Sequence, residues 1–353
     1  MNAAQRRVLS ALAHQPPDRI GVYDTFWRNT EAIYREAFAI PAGQSLAEYF
    51  DVDVQIVIPD EMPFPSRAGV VEDRPSEVVR VDGWGRTVRA LKDGYFYDTL
   101  DVAIKSHADL DRVEFESPAL DSRYEPSLAS LEARKARFCC FTKTGGPFLR
   151  TCFLRGEEDF LIDIAADPDF AKALADRTAD HLVEIGLESL RRFDLCENGV
   201  WIFDDMCSNE QPMMSPSSFE RVFLPAYRRM VATWKAAGAR FVVLHCDGNL
   251  DMLVDAGIDG INPVEPKAGM DLVALKRRYG KRLAYIGGMC NAHVLPSGDL
   301  EAVRRQTLGI LDAGRDGGVL IGAHSIGPDI APETYRLYRD LVAEHGRCQP
   351  NPA

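Results

Sequence analysis

The sequence predicts a (β/α)8 barrel of the TIM class, and two observations lead there. Eight short apolar runs of strand type recur along the chain, most of them separated by stretches of helical pattern. Such alternation implies parallel strands, and eight parallel strands imply a closed barrel. The second observation concerns the residues at the ends of the runs. Asp24, Asp60, Lys143, Asp205, His245, Asp247, Glu265 and His324 each come just after one of them. In barrels of this class the reacting groups stand at the C-terminal ends of the strands. An open doubly wound sheet is the competing architecture. It would carry a GxGxxG or a P-loop after a strand, and neither stands after any run here.

Residues 3–13 suit a short helix that leads into Gln15-Pro16-Pro17-Asp18-Arg19. The first strand is Ile20–Tyr23, and after it comes a helix with Ile33, Ala37 and Phe38 on one face. Val54–Ile58 is the second strand. Residues 76–100 differ in character: Val78 to Val88 alternates around Gly83-Trp84-Gly85 and reads as a β-hairpin. It is placed as an insertion over one mouth of a single domain. A polar helix near Pro126–Ala136 precedes the third strand, Phe138–Thr142. Asp167-Pro168 starts a helix, with an N-cap acid and proline at the first helical position. Phe170, Leu174, Leu182, Ile185 and Phe193 form its buried stripe. Gly199–Phe203 is the fourth strand. Ser215-Pro216 opens another helix, in which Pro225 predicts a kink. The remaining strands begin at Phe241, Gly260, Leu283 and Gly318, and a last helix covers about 332–346.

The composition narrows the function. The chain has 353 residues and a net charge of -12, which argues against a general nucleic-acid binder. No apolar run approaches the roughly 20 residues that span a bilayer. Met1–Pro17 lacks a signal-peptide core, so a cytosolic protein is expected. The eight cysteines form no CxxC pair and read as buried thiols. Cys139 and Cys140 lie mid-strand. Cys290 comes after two glycines and Met289 and is kept as a candidate substrate contact.

The densest chemistry lies in Phe241–Asn249, where an apolar run breaks into His245-Cys246-Asp247. Strand side chains alternate, so His245 and Asp247 point one way and Cys246 the other, toward the helical layer. Asp204 and Asp205 end the fourth strand in the same manner. One of them caps the next helix or serves the site, and Asp205 is the candidate for substrate contact or proton transfer. Asp60 and Glu61 border a proline turn, where Asp60 is the candidate acid. Lys143 is the one cation at a strand end and could hold an anionic group. Tyr23, Phe26 and Trp27 read either as core or as an apolar wall for an aromatic substrate.

Several stretches together are similar to one superfamily. They are Arg7-Val8-Leu9 through Pro17-Asp18-Arg19, Gly146-Pro147-Phe148 through Leu154-Arg155-Gly156, and Asp204-Asp205-Met206 with Ser215-Pro216 beyond it. Further along are His245-Cys246-Asp247-Gly248-Asn249, Gly287-Gly288-Met289, and His324-Ser325-Ile326-Gly327-Pro328-Asp329 with Pro332-Glu333 behind it. The chain resembles the uroporphyrinogen decarboxylase superfamily across nearly its whole length. That superfamily includes the tetrapyrrole decarboxylase and zinc-dependent methyltransferases that exchange methyl groups with corrinoid proteins.

Two comparisons bear on the branch. True decarboxylases carry Arg-Gln-Ala-Gly-Arg-Tyr after the first strand, whose arginines hold substrate carboxylates. This chain has Asp24-Thr25-Phe26-Trp27-Arg28-Asn29-Thr30 there, where Asp24 would repel such a substrate and only Arg28 could stand in. The methyltransferase branch binds zinc with His-x-Cys and a distant Cys. Here the corresponding residues are His245-x-Asp247 and His324. The resemblance therefore implies a site of His245, Asp247 and His324, with Glu265 beside it, for zinc or non-haem iron. Without thiolates such a site is harder and favours an oxygen-bearing substrate, phenolic or methoxylated. The expected reaction is methyl transfer to a corrinoid carried on a partner protein, with Asp205 or His324 delivering the proton. Asp24, Phe26, Trp27, Lys143 and Cys290 are the expected substrate contacts. The resemblance also implies a homodimer. The rival reaction is decarboxylation, with Asp24 or Asp60 stabilising a protonated ring intermediate. A third reading is a tetrapyrrole- or corrinoid-binding protein without turnover.

Overall fold

A computed structural model describes residues 1–94, 96–207, 211–246 and 250–348. Among these residues two sheets form. The strands are β1 (Gly21–Val22), β2 (Val54–Val57), β3 (Gly69–Asp73), β4 (Glu77–Val81), β5 (Thr87–Leu91), β6 (Tyr97–Asp101), β7 (Cys139–Gly145), β8 (Gly199–Phe203), β9 (Phe241–His245), β10 (Gly260–Val264), β11 (Ala284–Met289) and β12 (Val319–Ala323). Eight of them run in the order β1-β12-β11-β10-β9-β8-β7-β2, with every pairing parallel. This is the barrel predicted from the alternation of strand and helix.

The inner face of the barrel is its own apolar cluster. Tyr23, Val54, Phe141, Trp201, Val243, Ile286 and Leu320 meet there, joined by Val8, Leu9 and Leu12 of the Ala3–Leu12 helix. That helix therefore closes the N-terminal end. The interior is packed, and room for a ligand is left only at the other end.

The ring of strands is completed by a side chain. Among the described residues no ladder joins β1 to β2. Instead the Asp53 amide donates to Val22 O (2.9 Å), and the Val22 amide donates to Asp53 Oδ2 (2.8 Å). Asp53 is buried and also accepts from Arg7 Nη1 (2.5 Å) and Arg19 Nη1 (2.8 Å).

The insertion is larger than a hairpin. The expected β4–β5 hairpin is flanked by β3 and β6, giving a four-stranded antiparallel meander. Both outer strands are exposed throughout and lack the alternation that marks β4 and β5. The turn between β4 and β5 packs Trp84 against Phe153 at 5.6 Å.

Phe153 belongs to Pro147–Arg155, a helix the sequence reading does not name; Glu157–Ala166, directly after it, is another. The signals were present: proline in the first turn, Gly156 at φ 89° between the two, and three acids at the second N-terminus. The long helix Pro168–Phe193 is capped by Asp167, as its sequence implies. The helix from Pro216 ends at Val222 and restarts at Leu224 with Pro225 in its first turn, so the predicted kink is a break. Among the described residues, no helix is long and apolar enough to cross a membrane.

Removing the Asp53 carboxylate leaves two buried or half-buried guanidinium groups without their shared partner. Asp53→Ala is expected to cost about 3–5 kcal/mol. Asp18→Asn, at the exposed end of the Arg7 pair, should cost about 1 kcal/mol or less. Urea melts of the two variants would separate these values.

Candidate active site at the barrel mouth

Side-chain alternation carries the packed interior upward into a polar mouth. Two residues beyond Phe141 stands Lys143; beyond Trp201 stand Phe203 and then Asp205; beyond Val243 stands His245. Leu320 and Gly322 lead to His324 in the same way. The odd partners of each pair face the helices. Cys246 is buried in the outer core cluster beside Cys207. Asp204 accepts from the amides of Phe148 (3.0 Å) and Leu149 (2.6 Å) and from the Tyr227 hydroxyl (2.5 Å). Burial pushes its carboxyl up to about 6, although these three donors pull it down. Gly146 is required there, since a Cβ would lie 2.3 Å from the Asp204 carboxyl carbon.

His245 and His324 meet, with ring centroids 5.1 Å apart. His245 stacks on Phe203 at 4.7 Å and faces Asp205, whose Oδ1 is 3.8 Å from Nε2. Its Nδ1 lies 2.8 Å from Asn262 Oδ1, and the same amide donates through Nδ2 to Ile286 O at 3.4 Å. With the amide nitrogen engaged on a carbonyl, Oδ1 must accept, so Nδ1 of His245 carries the proton. The Nε2 lone pair is then turned toward Asp205 and the mouth. Burial, with His324 beside it, lowers His245 to about 4, so the ring is neutral at pH 7. Asn262 is absent from the sequence reading. Its signal was a polar residue inside the apolar run Gly260–Val264, on the inward parity.

Lys143 belongs to the same mouth, with Nζ 5.8 Å from the centre of the Phe203 ring on which His245 stacks. Its Nζ sits 2.8 Å from Glu61 Oε1. Glu61 also accepts from Arg150 Nε (2.7 Å) and from the Gly145 amide (2.5 Å). Burial would raise the Glu61 carboxyl, but Arg150 and Lys143 outweigh it and hold it at about 2. Glu61, not Asp60, is thus the buried carboxylate after β2. Asp60 is half-buried and accepts from the Met62 amide at 3.0 Å.

Most of the other expected site residues have contacts of their own. Asp24 faces the helices, accepting from the Ala323 amide (2.9 Å) and the Tyr335 hydroxyl (3.0 Å). Burial pushes its carboxyl up, against the pull of Arg339. Phe26 packs on Tyr335 at 5.6 Å and also lines a cavity of about 450 Å³ with Tyr23, Ile56, Ile58, Lys143 and Phe203. Trp27 is exposed. Cys290 is buried, its sulfur accepting from the His293 amide at 3.3 Å. Glu265 is buried and accepts from the Lys267 amide at 3.0 Å. Asp247 lies outside the described residues. Among the described residues, no three His, Cys, Asp or Glu side chains form a group able to hold a metal ion. Of the expected donors His245, Asp247, His324 and Glu265, the imidazole pair is the part seen together.

Parallel strands, a packed interior and acid–base side chains confined to one mouth define a (β/α)8 barrel with its site at the C-terminal end. The family model for uroporphyrinogen decarboxylase (URO-D) matches residues 98–345, and the chain belongs to that family. Among solved structures it is similar to a methyltransferase from Methanosarcina mazei, with a TM-score of 0.67 and 17% identity over 97% of this chain and 98% of that one. A Listeria monocytogenes protein provisionally assigned as a vitamin-B12 independent methionine synthase aligns at a TM-score of 0.43 and 10% identity, over 94% and 98% of the two chains. No curated protein matches the chain.

His181 is a second buried neutral imidazole, held at about 4 chiefly by burial, with Nε2 2.9 Å from Glu61 O. Its folded value lies below the unfolded one, so it adds stability above pH 6.5 that is lost as pH falls toward 4. The span corresponds to about 3 kcal/mol at most. His181→Gln keeps a donor for the carbonyl and removes the titration. The variant should lose less stability than the parent between pH 7 and 4, by up to that amount. Parallel pH dependences in urea melts would contradict it.

Proposed function

We propose that this protein is a URO-D superfamily enzyme that transfers a methyl group from a small methoxylated or methylated substrate to a corrinoid protein. The observation that carries the reading is the meeting of His245, His324 and Asp205 at one mouth, beside a cavity with an apolar wall. A passive pocket does not require converging acid–base groups. The likeness to a methyltransferase fold agrees with it.

In this scheme the methyl ether lies against Tyr23, Ile58 and Phe203, its oxygen toward the imidazole pair. The methyl group departs to the nucleophilic acceptor. The oxygen keeps the bonding electron pair and takes a proton from Asp205 or His324. His245, neutral and with its Nε2 lone pair directed into the mouth, is an acceptor there and is not itself a proton source at pH 7. Zinc, where bound, would supply Lewis acidity toward that oxygen, with His245 and His324 as nitrogen donors and Asp247 as the carboxylate.

The family match gives decarboxylation a claim as second reading. Of the two carboxylates expected to stabilise a protonated ring, Asp24 is held by the Ala323 amide and the Tyr335 hydroxyl, and Asp60 borders a second cavity. An anaerobic assay with a methoxylated aromatic and a reduced corrinoid acceptor should show loss of the methyl group, and His245→Ala should lower the rate by about 100-fold or more. Release of carbon dioxide from a carboxylated substrate would replace this reading with the second. A coloured corrinoid or tetrapyrrole complex without turnover would replace both.

Metal content gives a separate check. Protein purified without added metal and titrated with zinc is expected to take up one equivalent, and His245→Ala to take up less. Failure of the parent protein to bind any would remove the metal from the proposal.

A further inference from the structure

Beside the imidazole pair lies a group of charges that the proposed chemistry does not use. Lys143 and Arg150 share one carboxylate, Glu61, and all three are buried or nearly so. Among the charged side chains lining the cavity beside them, Arg123, Lys143 and Arg150 outnumber Asp60 and Glu61. Glu61 Oε1 is reached by Lys143 Nζ and by Arg150 Nε and Nη2, and Oε2 by the Gly145 amide. The Lys143 ammonium has three hydrogens, and Glu61 takes one.

The surroundings shape this charge into a receptor. A second cavity, of about 520 Å³, is lined by Glu61, Trp84, Lys143, Arg150 and Phe153. It shares Ile58 and Lys143 with the cavity beneath Phe26, so Lys143 stands where the two join. Arg150 lies over the Phe153 ring at 5.1 Å and the Trp84 ring at 5.6 Å. Trp84 comes from the β4–β5 turn, so the insertion supplies a wall of this cavity. Gly145 is what admits Arg150, since a Cβ there would lie 2.2 Å from its Nε. Lys143 Nζ is 5.8 Å from the centre of the Phe203 ring on which His245 stacks. Lys143 on β7 and His245 on β9 are two strands apart, roughly 10 Å by interstrand spacing. That separation suits one substituted ring with a polar group at each end.

We propose that Lys143 and Arg150, held by Glu61, form an anion subsite that receives a carboxylate of the substrate, which makes the substrate a small carboxylated aromatic methyl ether. The inference rests on the reading of the mouth as the substrate site and adds the substrate's second recognition point. Lys143 makes the direct contact. Arg150 and Glu61 are positioning residues that fix the ammonium and set the local charge. A neutral isostere of the ligand would leave that charge unanswered.

Equilibrium binding to the full chain tests this without any methyl transfer. The probes are 4-methoxybenzoate and the neutral 4-methoxybenzamide, measured by calorimetry at low and high salt. The benzoate is expected to bind at least about tenfold more tightly than the benzamide, the size of one charge-assisted hydrogen bond. Its affinity should fall with salt. Lys143→Met should abolish the preference and Lys143→Arg should restore most of it. If Lys143→Met does not fold, Lys143→Gln serves instead: it keeps a donor for Glu61, removes the charge, and should bring benzoate affinity down to that of the benzamide. Equal affinity for the two probes, or a preference that survives Lys143→Met, would overturn the subsite. Benzoate selectivity in a protein that fails to demethylate would leave the subsite standing and remove the methyl-transfer reading.

Discussion

The constraint on which the rest depends is the alternation of side chains along parallel strands. Each barrel strand has one face inside and one against the helices. Phe141, Trp201 and Val243 fill the interior, and the next residues of the same parity become Lys143, Phe203 and His245. The site is therefore the interior core continued past the point where apolar packing ends. Its neighbours in sequence have the opposite fate. Asp204, Cys246 and Asp24 are buried among helices and bonded there, one residue away from groups that face the mouth. A shift of one residue in register would exchange the two sets.

That alternation also explains what could be read from the sequence. All eight barrel strands were legible, most to within about a residue, because buried parallel strands are continuous apolar runs bounded by polar residues. The inward direction of His245 and the outward direction of Cys246 came from parity alone. The choice between Asp60 and Glu61 did not. It depends on Lys143 and Arg150, which lie 82 and 89 residues from Glu61 in the chain. No local pattern contains that information. Asn262 was hidden for a similar reason, since its meaning depends on a histidine from the neighbouring strand and a carbonyl from the next. Asp24 shows the reverse case. It ends a strand as a reactive acid would, but Tyr335 and the Ala323 amide, about 300 residues away, make it part of the wall.

The electrostatics of the mouth divide into two halves on either side of Phe203. Toward β9 stand the imidazole pair, with His245 kept uncharged by burial, and Asp205 beside it. Toward β2 and β7 the charges are permanent, with Glu61 held ionised by Lys143 and Arg150. One half is suited to proton traffic and the other to fixed attraction, and the two share an aromatic divider. The insertion meets the charged half through Trp84.

The seam beside Asp53 bears on how such a barrel can diversify. Elsewhere around the ring, neighbouring strands are tied by amide ladders, and a wider or narrower chamber would disturb several of them at once. Between β1 and β2 the tie is Asp53 low in the wall, through its amide and its carboxylate, and above it Phe26, Ser45–Ala47 and Ile58 border open space. Side chains in that stretch can be enlarged or trimmed without removing a backbone hydrogen bond from the sheet. Volume near the reacting groups is thus adjustable at one place on the circumference while the remaining architecture stays constant.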